Sequence, residues 1–217
     1  MIDYLSNSIY RAQVINLFFE HVVLSLLPVL LAILPALVLG WLAHQNRVAR
    51  SVLLSVSSIV YTIPSLALFV VLPLVLGTGV TSGINIVIAL ALYTVALLVR
   101  SVVDALEALP APVVAAATAM GYRPLRRFLT VELPNAIPVL VAGMRVATVS
   151  NVSLVSVAVL LGSGGLGKLF LLGFQIGYVP PQIAGLVLIA VIALAADALL
   201  VLGQRLATPW LSVRSAA

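Results

Sequence analysis

Cysteine is absent from this chain of 217 residues, and only 8% of its residues are Asp, Glu, Lys or Arg. Without cysteine the chain can form no disulfide bond and offers no thiolate nucleophile or metal ligand. The scarcity of charge accompanies 63% apolar residues and a mean hydropathy of +1.27. This composition lies far outside the range of soluble globular proteins and predicts a membrane protein.

Long apolar runs contain no charged side chain at all. No Asp, Glu, Lys or Arg occurs between positions 51 and 99, and a helix needs about 20 apolar residues to cross a bilayer. The runs do not alternate as the strands of a membrane barrel would. We therefore expect an all-α integral membrane protein, a polytopic bundle of about five transmembrane helices at 22–43, 51–76, 84–103, 136–161 and 181–202. Pro64 and Pro73 favour a break in the second run, which leaves six helices open.

Side chains that carry out catalysis are equally scarce. The two histidines, His21 and His44, flank the first predicted span. We expect both at the membrane interface, and they lack the spacing of metal ligands. An intramembrane enzyme, such as a lipid-modifying transferase, is the alternative from another class, and it needs clustered His, Asp or Glu at membrane depth. Asp197 is the only acid there, near the end of a span, so no enzymatic activity is expected.

Basic residues are distributed unevenly between the two ends of the predicted spans. With five crossings, Arg11 and Lys168 lie on one side and Arg145 lies inside a span. The other side carries Arg47, Arg50, Arg100, Arg123, Arg126, Arg127, Arg205 and Arg214. Because cytoplasmic loops carry the excess of Lys and Arg, we expect the N-terminus outside and the C-terminus inside. Residues 1–20 then form an extracytoplasmic or interfacial segment, not a cleaved signal peptide, and 204–217 form a cytoplasmic tail.

One polar segment interrupts the apolar runs, and seven of the seventeen charged residues fall within positions 100–135. Pro110 and Pro112 predict the end of the preceding helix. Residues 113–120 predict a short helix, with a turn at Gly121, and 123–132 predict a second short helix that stops before Pro134. The basic residues of the chain as a whole lie at the ends of the predicted spans. This distribution does not indicate a nucleic-acid partner, which would require a cluster on one soluble face. A structured basic segment of this kind is expected to bind a protein partner.

The spacing within this segment resembles a motif of one transporter family. Permeases of binding-protein-dependent ABC importers carry a cytoplasmic loop of the form Glu-Ala-Ala, three residues, Gly, nine residues, Ile-x-Leu-Pro. The chain has Ala115-Ala116-Ala117, Gly121 and Val131-Glu132-Leu133-Pro134 in that register, with Ala115 in place of the usual Glu. The resemblance implies a type I permease domain over 21–203 whose coupling loop, about 104–135, docks on a separate ATPase subunit. It implies docking roles for Ala115, Ala116, Ala117, Gly121, Tyr122, Arg123, Arg126, Arg127, Leu133 and Pro134.

Further stretches are similar to one branch of that family. The run from Tyr61 to Ala67, YTIPSLA, resembles the Gln-Thr-Ile-Pro-Ser-Leu-Ala stretch of glycine betaine, carnitine and choline permeases. Gly143-Met144-Arg145, the loop at 161–167 and Asp197 fit the same group. This resemblance implies uptake of quaternary ammonium osmoprotectants. Similar permeases also serve other small solutes, such as ergothioneine or amino acids, and that alternative stays open.

The family resemblance also implies a set of partners. These are a second permease subunit of the same or a related chain, two ATP-binding subunits that carry ATP and Mg²⁺, an extracytoplasmic substrate-binding protein and the lipid bilayer. No cofactor is expected in this chain. A channel is a third alternative, but a channel leaves the docking segment unexplained.

Polar residues within the predicted spans are candidates for the translocation pathway. Arg145 and Asp197 lie at similar depth, so they predict either a pair or two side chains that reach the interface. Small hydroxyl groups can line a path or join helices. The remaining candidates are Tyr61, Thr62, Ser65, Tyr93, Thr94, Thr148 and Asn151.

A glycine-rich run from Gly162 to Lys168, GSGGLGK, matches most of a phosphate-binding loop. Leu169 stands where the hydroxyl that holds magnesium should be, and the run follows a membrane span and no strand. We therefore expect a tight exterior turn or gate loop there, and no nucleotide binding.

Overall fold

The computed structural model describes residues 8–210, with only the backbone for Ile9. All regular elements within these residues are helical, which confirms the all-α prediction. They are α1 Ser8–Gln45, α2 Arg47–Thr62, α3 Ser65–Leu76, α4 Gly83–Glu107, α5 Ala111–Ala119, α6 Pro124–Arg127, a π-helical turn Phe128–Glu132, α7 Leu133–Val157, a 3-10 turn Ala158–Leu161, α8 Gly167–Gln175 and α9 Val179–Ala207.

Helix α4 lies at the centre of the bundle. It packs against α1 most extensively and also against α2, α3 and α7. A helix surrounded in this way needs no polar face, and apolar residues such as Leu90, Val99 and Val103 are fully buried on α4. Helix α9 packs on α7 and α8 at the other side of the bundle.

The first helix starts well before the predicted span. Residues 8–20 are continuous with it, so the structure has no boundary near residue 21. Val14 and Leu17 are buried in a cluster with Val152 of α7 and Ile192 of α9. Packing against α7 and against Gly165 buries the His21 side chain completely, and its location at the membrane interface stays a prediction.

The second apolar run is broken, as Pro64 suggested. Helices α2 and α3 are bent by 101° at a two-residue break. The residue before a proline is driven towards extended backbone, and Ile63 has φ −64° and ψ 129°. With 16 and 12 residues, each half is shorter than the ~20 residues of a crossing. Residues 8–210 therefore supply four membrane helices, or five if the bent pair is one span, and six is not supported.

The polar segment folds as helix, glycine turn and helix, with one departure from the prediction. Helix α5 ends at a turn in which Gly121 has φ +83°. The second helix does not stop before Pro134, because the π-helical turn carries it into α7. The amide of Leu133 donates to the carbonyl of Phe128, five residues earlier, and such a wide turn accommodates a following proline without ending the helix.

A further short helix, α8, lies between the last two long helices and was not predicted. It is nine residues long and follows the glycine-rich run. Leu169 and Gly173 of α8 are buried, and Gly173 lies so close to Gln182 of α9 that a Cβ would meet its side chain at 2.5 Å. Packing against α9 therefore holds α8 in place, since nine residues are too few for a stable isolated helix.

Candidate functional site

Two tyrosines meet at the break between α2 and α3. The rings of Tyr61 and Tyr93 pack edge to face, with centroids 5.9 Å apart. The Tyr93 hydroxyl donates to the carbonyl of Ile63 at 2.5 Å, an acceptor at the C-terminal end of α2, where the last carbonyls have no donor within the helix. Tyr93 is buried and Tyr61 is half exposed. The structure therefore brings two of the predicted pathway residues together and builds them into the helix break.

A neighbouring pair of polar side chains joins α4 to α7. The amide nitrogen of Asn151 donates to the Thr94 hydroxyl at 2.9 Å, and Thr94 donates to the carbonyl of Leu90. Both side chains are buried. Together with the tyrosines they line a narrow space between the two helices. Thr148 is also buried, and its hydroxyl donates to the carbonyl of Met144 in its own helix.

A larger cavity opens at the surface of the protein between α2 and α4. It has a volume of about 390 Å³ and is lined by Leu54, Ser57, Ser58, Tyr61, Thr62, Ala96, Leu97, Arg100, Ser101 and Asp104. Its two charged side chains are an ion pair one turn apart on α4, with 4.0 Å between Arg100 Nε and Asp104 Oδ2. A smaller cavity of about 220 Å³ is lined by Ser65 with both tyrosines, Ile63 and Leu154. Both cavities have a mostly apolar lining, to which the tyrosine rings and several hydroxyl groups contribute.

The two charged residues within the spans bind each other. Arg145 of α7 donates from Nε and Nη2 to the two carboxylate oxygens of Asp197 on α9, at 2.5 and 2.8 Å. This planar two-bond geometry is the strongest form of ion pair. The prediction that they pair is confirmed. Neither residue lines the two cavities at the tyrosines.

The coupling segment divides into exposed and internal residues. Exposed side chains surround the glycine turn, and Arg126 stacks on the Tyr122 ring at 5.2 Å. The exposed predicted residues are Ala115, Ala116, Gly121, Arg123 and Arg126. Met120 and Leu125 flank the turn and are more than half exposed. The prediction did not include these two apolar residues, although their positions beside Gly121 could have indicated them.

Arg127 differs from its neighbour Arg126 because its side chain points into the protein. Its Nε donates to Glu132 Oε1 at 2.6 Å, and its Nη1 donates to Thr118 Oγ1 of α5 at 2.8 Å. Glu132 is only 1% exposed. Ala117 is buried as well, and Leu133 packs with Phe128 and Trp41. These residues hold the segment on the bundle, and Thr118 and Glu132 were missed by the sequence prediction.

The glycine-rich run forms a tight loop against α1. Gly162, Gly164 and Gly165 all have positive φ, a conformation that other residues rarely adopt. Glu20 of α1 contacts the loop through Lys168, Ser163 and Gly165. No group of three His, Asp or Glu side chains able to hold a metal occurs within residues 8–210.

The described residues form a bundle with four or five membrane helices, and a structured basic segment connects α4 to α7. This architecture fits a multi-pass membrane permease. A family model described as "Binding-protein-dependent transport system inner membrane component" matches residues 29–208. The chain belongs to this family, the permease subunits of ABC importers. Membership implies partner ATPases that use ATP and a substrate-binding protein, and it identifies this subunit as a transport protein and not an enzyme.

Curated relatives resemble between about three quarters and nearly all of the chain. The osmoprotectant import permease protein OsmW of Salmonella typhimurium is 35% identical over 208 residues, covering 94% of this chain and 95% of that protein. A carnitine transport permease protein, OpuCD of Listeria monocytogenes, is 30% identical and covers 96% and 92%. The ergothioneine transport permease/ergothioneine binding protein EgtU of Helicobacter pylori is 36% identical over 73% of this chain and 28% of that protein.

A solved structure resembles the fold. A chain of the MetNI methionine ABC transporter, in an inward facing conformation, superposes with a TM-score of 0.74. It covers 94% of this chain and 98% of its own length at 20% identity. At that identity the likeness establishes the type I importer permease fold alone.

Proposed function

We propose that this permease takes up small quaternary ammonium osmoprotectants, such as glycine betaine, choline and carnitine. The observation that carries the proposal is that the side chains lining the cavities at the tyrosines carry no net charge. Arg145 and Asp197 neutralise each other at 2.5 Å, and Arg100 is one turn from Asp104. A metal ion or a multiply charged anion needs a compensating charge along its path. A net-neutral zwitterion or a soft organic cation passes between hydroxyl groups and aromatic faces without one.

The path itself is assigned to the surface formed by α2 and α4. Ser51, Ser55, Ser58 and Thr62 follow one face of α2 at helical spacing, and all four are exposed. Hydroxyl groups that face lipid lose hydrogen bonds to water, so this face is better placed on a water-filled path. A second permease subunit, identical or related, completes the path from the opposite side. Tyr61, Thr62, Ser65, Tyr93, Thr94 and Asn151 would line or shape the path, while Arg145, Thr148 and Asp197 would hold α7 and α9.

Transport is proposed to couple to ATP through the segment at about 104–135. Two ATPase subunits would bind the exposed residues around Gly121, and the internal contacts of Arg127 would transmit their movement to α7. Rigid-body motion of the permease pair would then expose the path alternately to each side. The permease domain, about 21–203 by resemblance, would also include residues 8–20 because they continue its first helix. The N-terminus would be outside and the C-terminus in the cytoplasm, where basic residues concentrate. ATP and Mg²⁺ would reside on the partner subunits and not on this chain.

Ergothioneine is the second candidate substrate. The relative EgtU is 36% identical over 159 residues, and ergothioneine is another zwitterion that carries a trimethylammonium group. The same charge-poor path suits it. Because binding to the partner protein sets which solute reaches the permease, a path of this kind distinguishes these zwitterions weakly.

Competition for uptake tests the proposal. Radiolabelled betaine or choline is offered to cells that express the assembled transporter, with carnitine, ergothioneine, methionine or maltose in excess. We expect the trimethylammonium compounds to compete, while methionine and maltose do not. Competition by methionine or maltose, without competition by any trimethylammonium compound, would refute the assignment. A transporter with an inactivated ATPase subunit provides the background.

A further inference from the structure

The phosphate-loop-like run is already occupied by a side chain of the protein itself. Glu20 Oε1 accepts hydrogen bonds from Ser163 Oγ and from the Gly165 amide, each at 3.3 Å. Lys168 Nζ lies 3.0 Å from both carboxylate oxygens. A backbone amide, a hydroxyl and the lysine of a glycine-rich loop are the groups that such loops direct at an anion. Here the anion is a carboxylate from a residue more than 140 positions earlier.

We propose that the loop Gly162–Lys168 is a carboxylate-binding site whose resident ligand is Glu20. With Glu20 bound, the loop closes the end of the bundle at which α1, α7, α9 and the α3–α4 connection meet. Departure of the carboxylate from the loop is the step that lets this end of the bundle open. The site is separate from the tyrosines at the helix break and from the coupling segment. The inference does not depend on which solute is transported.

The close approach of the loop to four other parts of the protein supports the closing role. A Cβ on Gly165 would lie 2.7 Å from His21 Cα in α1, and one on Gly167 would lie 2.5 Å from the carbonyl of Ser156 in α7. On the other sides, a Cβ on Gly162 would lie 3.0 Å from Thr81, and the Leu166 carbonyl lies next to Gly185 of α9. Leu166 itself is completely buried. One ordered loop therefore contacts α1, the α3–α4 connection, α7 and α9.

His21, the residue after Glu20, makes a second contact that joins α1 to α7. Nε2 of His21 lies 3.0 Å from the carbonyl of Val152 in α7, adjacent to Asn151, which bonds to Thr94 of α4. Glu20 and His21 thus fix α1 on the loop and on the α7 segment beside the proposed path. Loss of the Glu20 carboxylate leaves Lys168 and the Gly165 amide without their anion, and the glycines then favour many loop conformations.

Cysteine labelling tests the proposal cleanly, because the chain has no native cysteine. Ala158→Cys adds a single thiol at a fully buried position, directly before Val159, on which Gly164 packs. The assembled transporter is placed in lipid nanodiscs, and reaction with a polar maleimide is followed on this subunit. We expect slow labelling with Glu20 present and labelling about tenfold faster with Glu20→Ala, equivalent to ~1.4 kcal/mol.

Chemical rescue then distinguishes an anion site from a general packing contact. Acetate replaces the atoms that Glu20→Ala removes, and acetamide has the same shape without the charge. Sodium acetate should slow the labelling of the Glu20→Ala protein, whereas acetamide, and sodium chloride at the same ionic strength, should not. Equal protection by acetamide, or no protection by acetate, would overturn the carboxylate site.

Two further variants keep the test decisive if Glu20→Ala does not assemble. Glu20→Gln keeps the size of the side chain, and Lys168→Met removes only the ammonium group, and both should speed labelling. Arg11→Ala is the matched control, because Arg11 is an exposed cation on the same helix with no ion pair among residues 8–210. Labelling of all variants at the rate of the Arg11→Ala control would overturn the proposal.

Discussion

Arg145 donates two hydrogen bonds to Asp197, at 2.5 and 2.8 Å, and thereby joins α7 to α9. Each charge lies within an apolar helix, where an unpaired ion is poorly solvated. The pair therefore behaves as one unit. Its two members should be replaceable together more easily than separately.

The first prediction concerns this coupling. Arg145→Met or Asp197→Leu alone should lower the midpoint of thermal unfolding, because each leaves a charge in an apolar helix without its partner. The double variant Arg145→Met/Asp197→Leu should recover much of this loss. Thermal unfolding in detergent is measured for the wild type, the two single variants and the double variant. The four values together give the coupling energy between the two side chains. Additive losses in the double variant would contradict the pair as a unit.

A second prediction concerns the turn in the coupling segment. Gly121→Val should reduce co-purification of the ATPase subunit, since φ is +83° there and a β-branched residue at positive φ costs about 1–2 kcal/mol or more. A Cβ at Gly121 meets no atom within 4 Å, so the effect comes from the backbone alone.

Gly203→Val is the matched control for this experiment. Gly203 lies within α9 and its Cβ would also meet nothing within 4 Å. That variant should retain the ATPase at the wild-type yield. Equal ATPase yields from both valine variants would argue against the coupling turn as a docking element.

The third prediction separates two adjacent arginines. Arg126→Glu should weaken ATPase association without changing thermal stability, because Arg126 is exposed beside the glycine turn. Arg127→Ala should lower the free energy of unfolding by about 3 kcal/mol, since it leaves the buried carboxylate of Glu132 unpaired. Co-purification and thermal unfolding are measured on both. Identical behaviour of the two variants would show that the internal and exposed roles are assigned wrongly.

A fourth prediction concerns orientation. A reporter that is active only in the cytoplasm should be active when fused after Ala217, and the same reporter inserted at Gly79, between α3 and α4, should be inactive. The reason is the concentration of arginine at the ends of the spans on one side. Activity of only the Gly79 insertion would reverse the orientation, and activity of both would contradict an odd number of crossings between Gly79 and Ala217.

A fifth prediction tests the hydrogen bond at the helix break. Tyr93→Phe removes the donor to the Ile63 carbonyl and should slow uptake while leaving assembly intact, with a loss of about 1 kcal/mol in stability. The wild-type transporter, compared at the same level of assembly, is the control. If Tyr93→Phe takes up substrate as fast as the control, the hydrogen bond to Ile63 is not needed for transport.

Local chemistry explains which parts of the fold were predicted from sequence. Uncharged runs longer than a bilayer crossing identify membrane helices, Pro64 breaks the second run, and Gly121 has the positive φ expected of a helix-ending glycine. The helix through Pro134 was not predicted, because proline usually ends a helix and a π-helical turn is rare. The start of α1 at Ser8 was also missed, since residues 8–20 are helical through burial of Val14 and Leu17 by distant helices.

The sequence by itself determined the membrane class, the family and the turn at Gly121 in the polar segment, because each depends on composition or on spacing over a few turns. Only the tertiary structure decided which polar groups meet. Arg126 and Arg127 are adjacent, yet one faces outward and the other binds Glu132. Glu20 and Gly165 are joined by a hydrogen bond across 145 positions. Contacts of that range depend on how the helices pack, and no local pattern of residues specifies them.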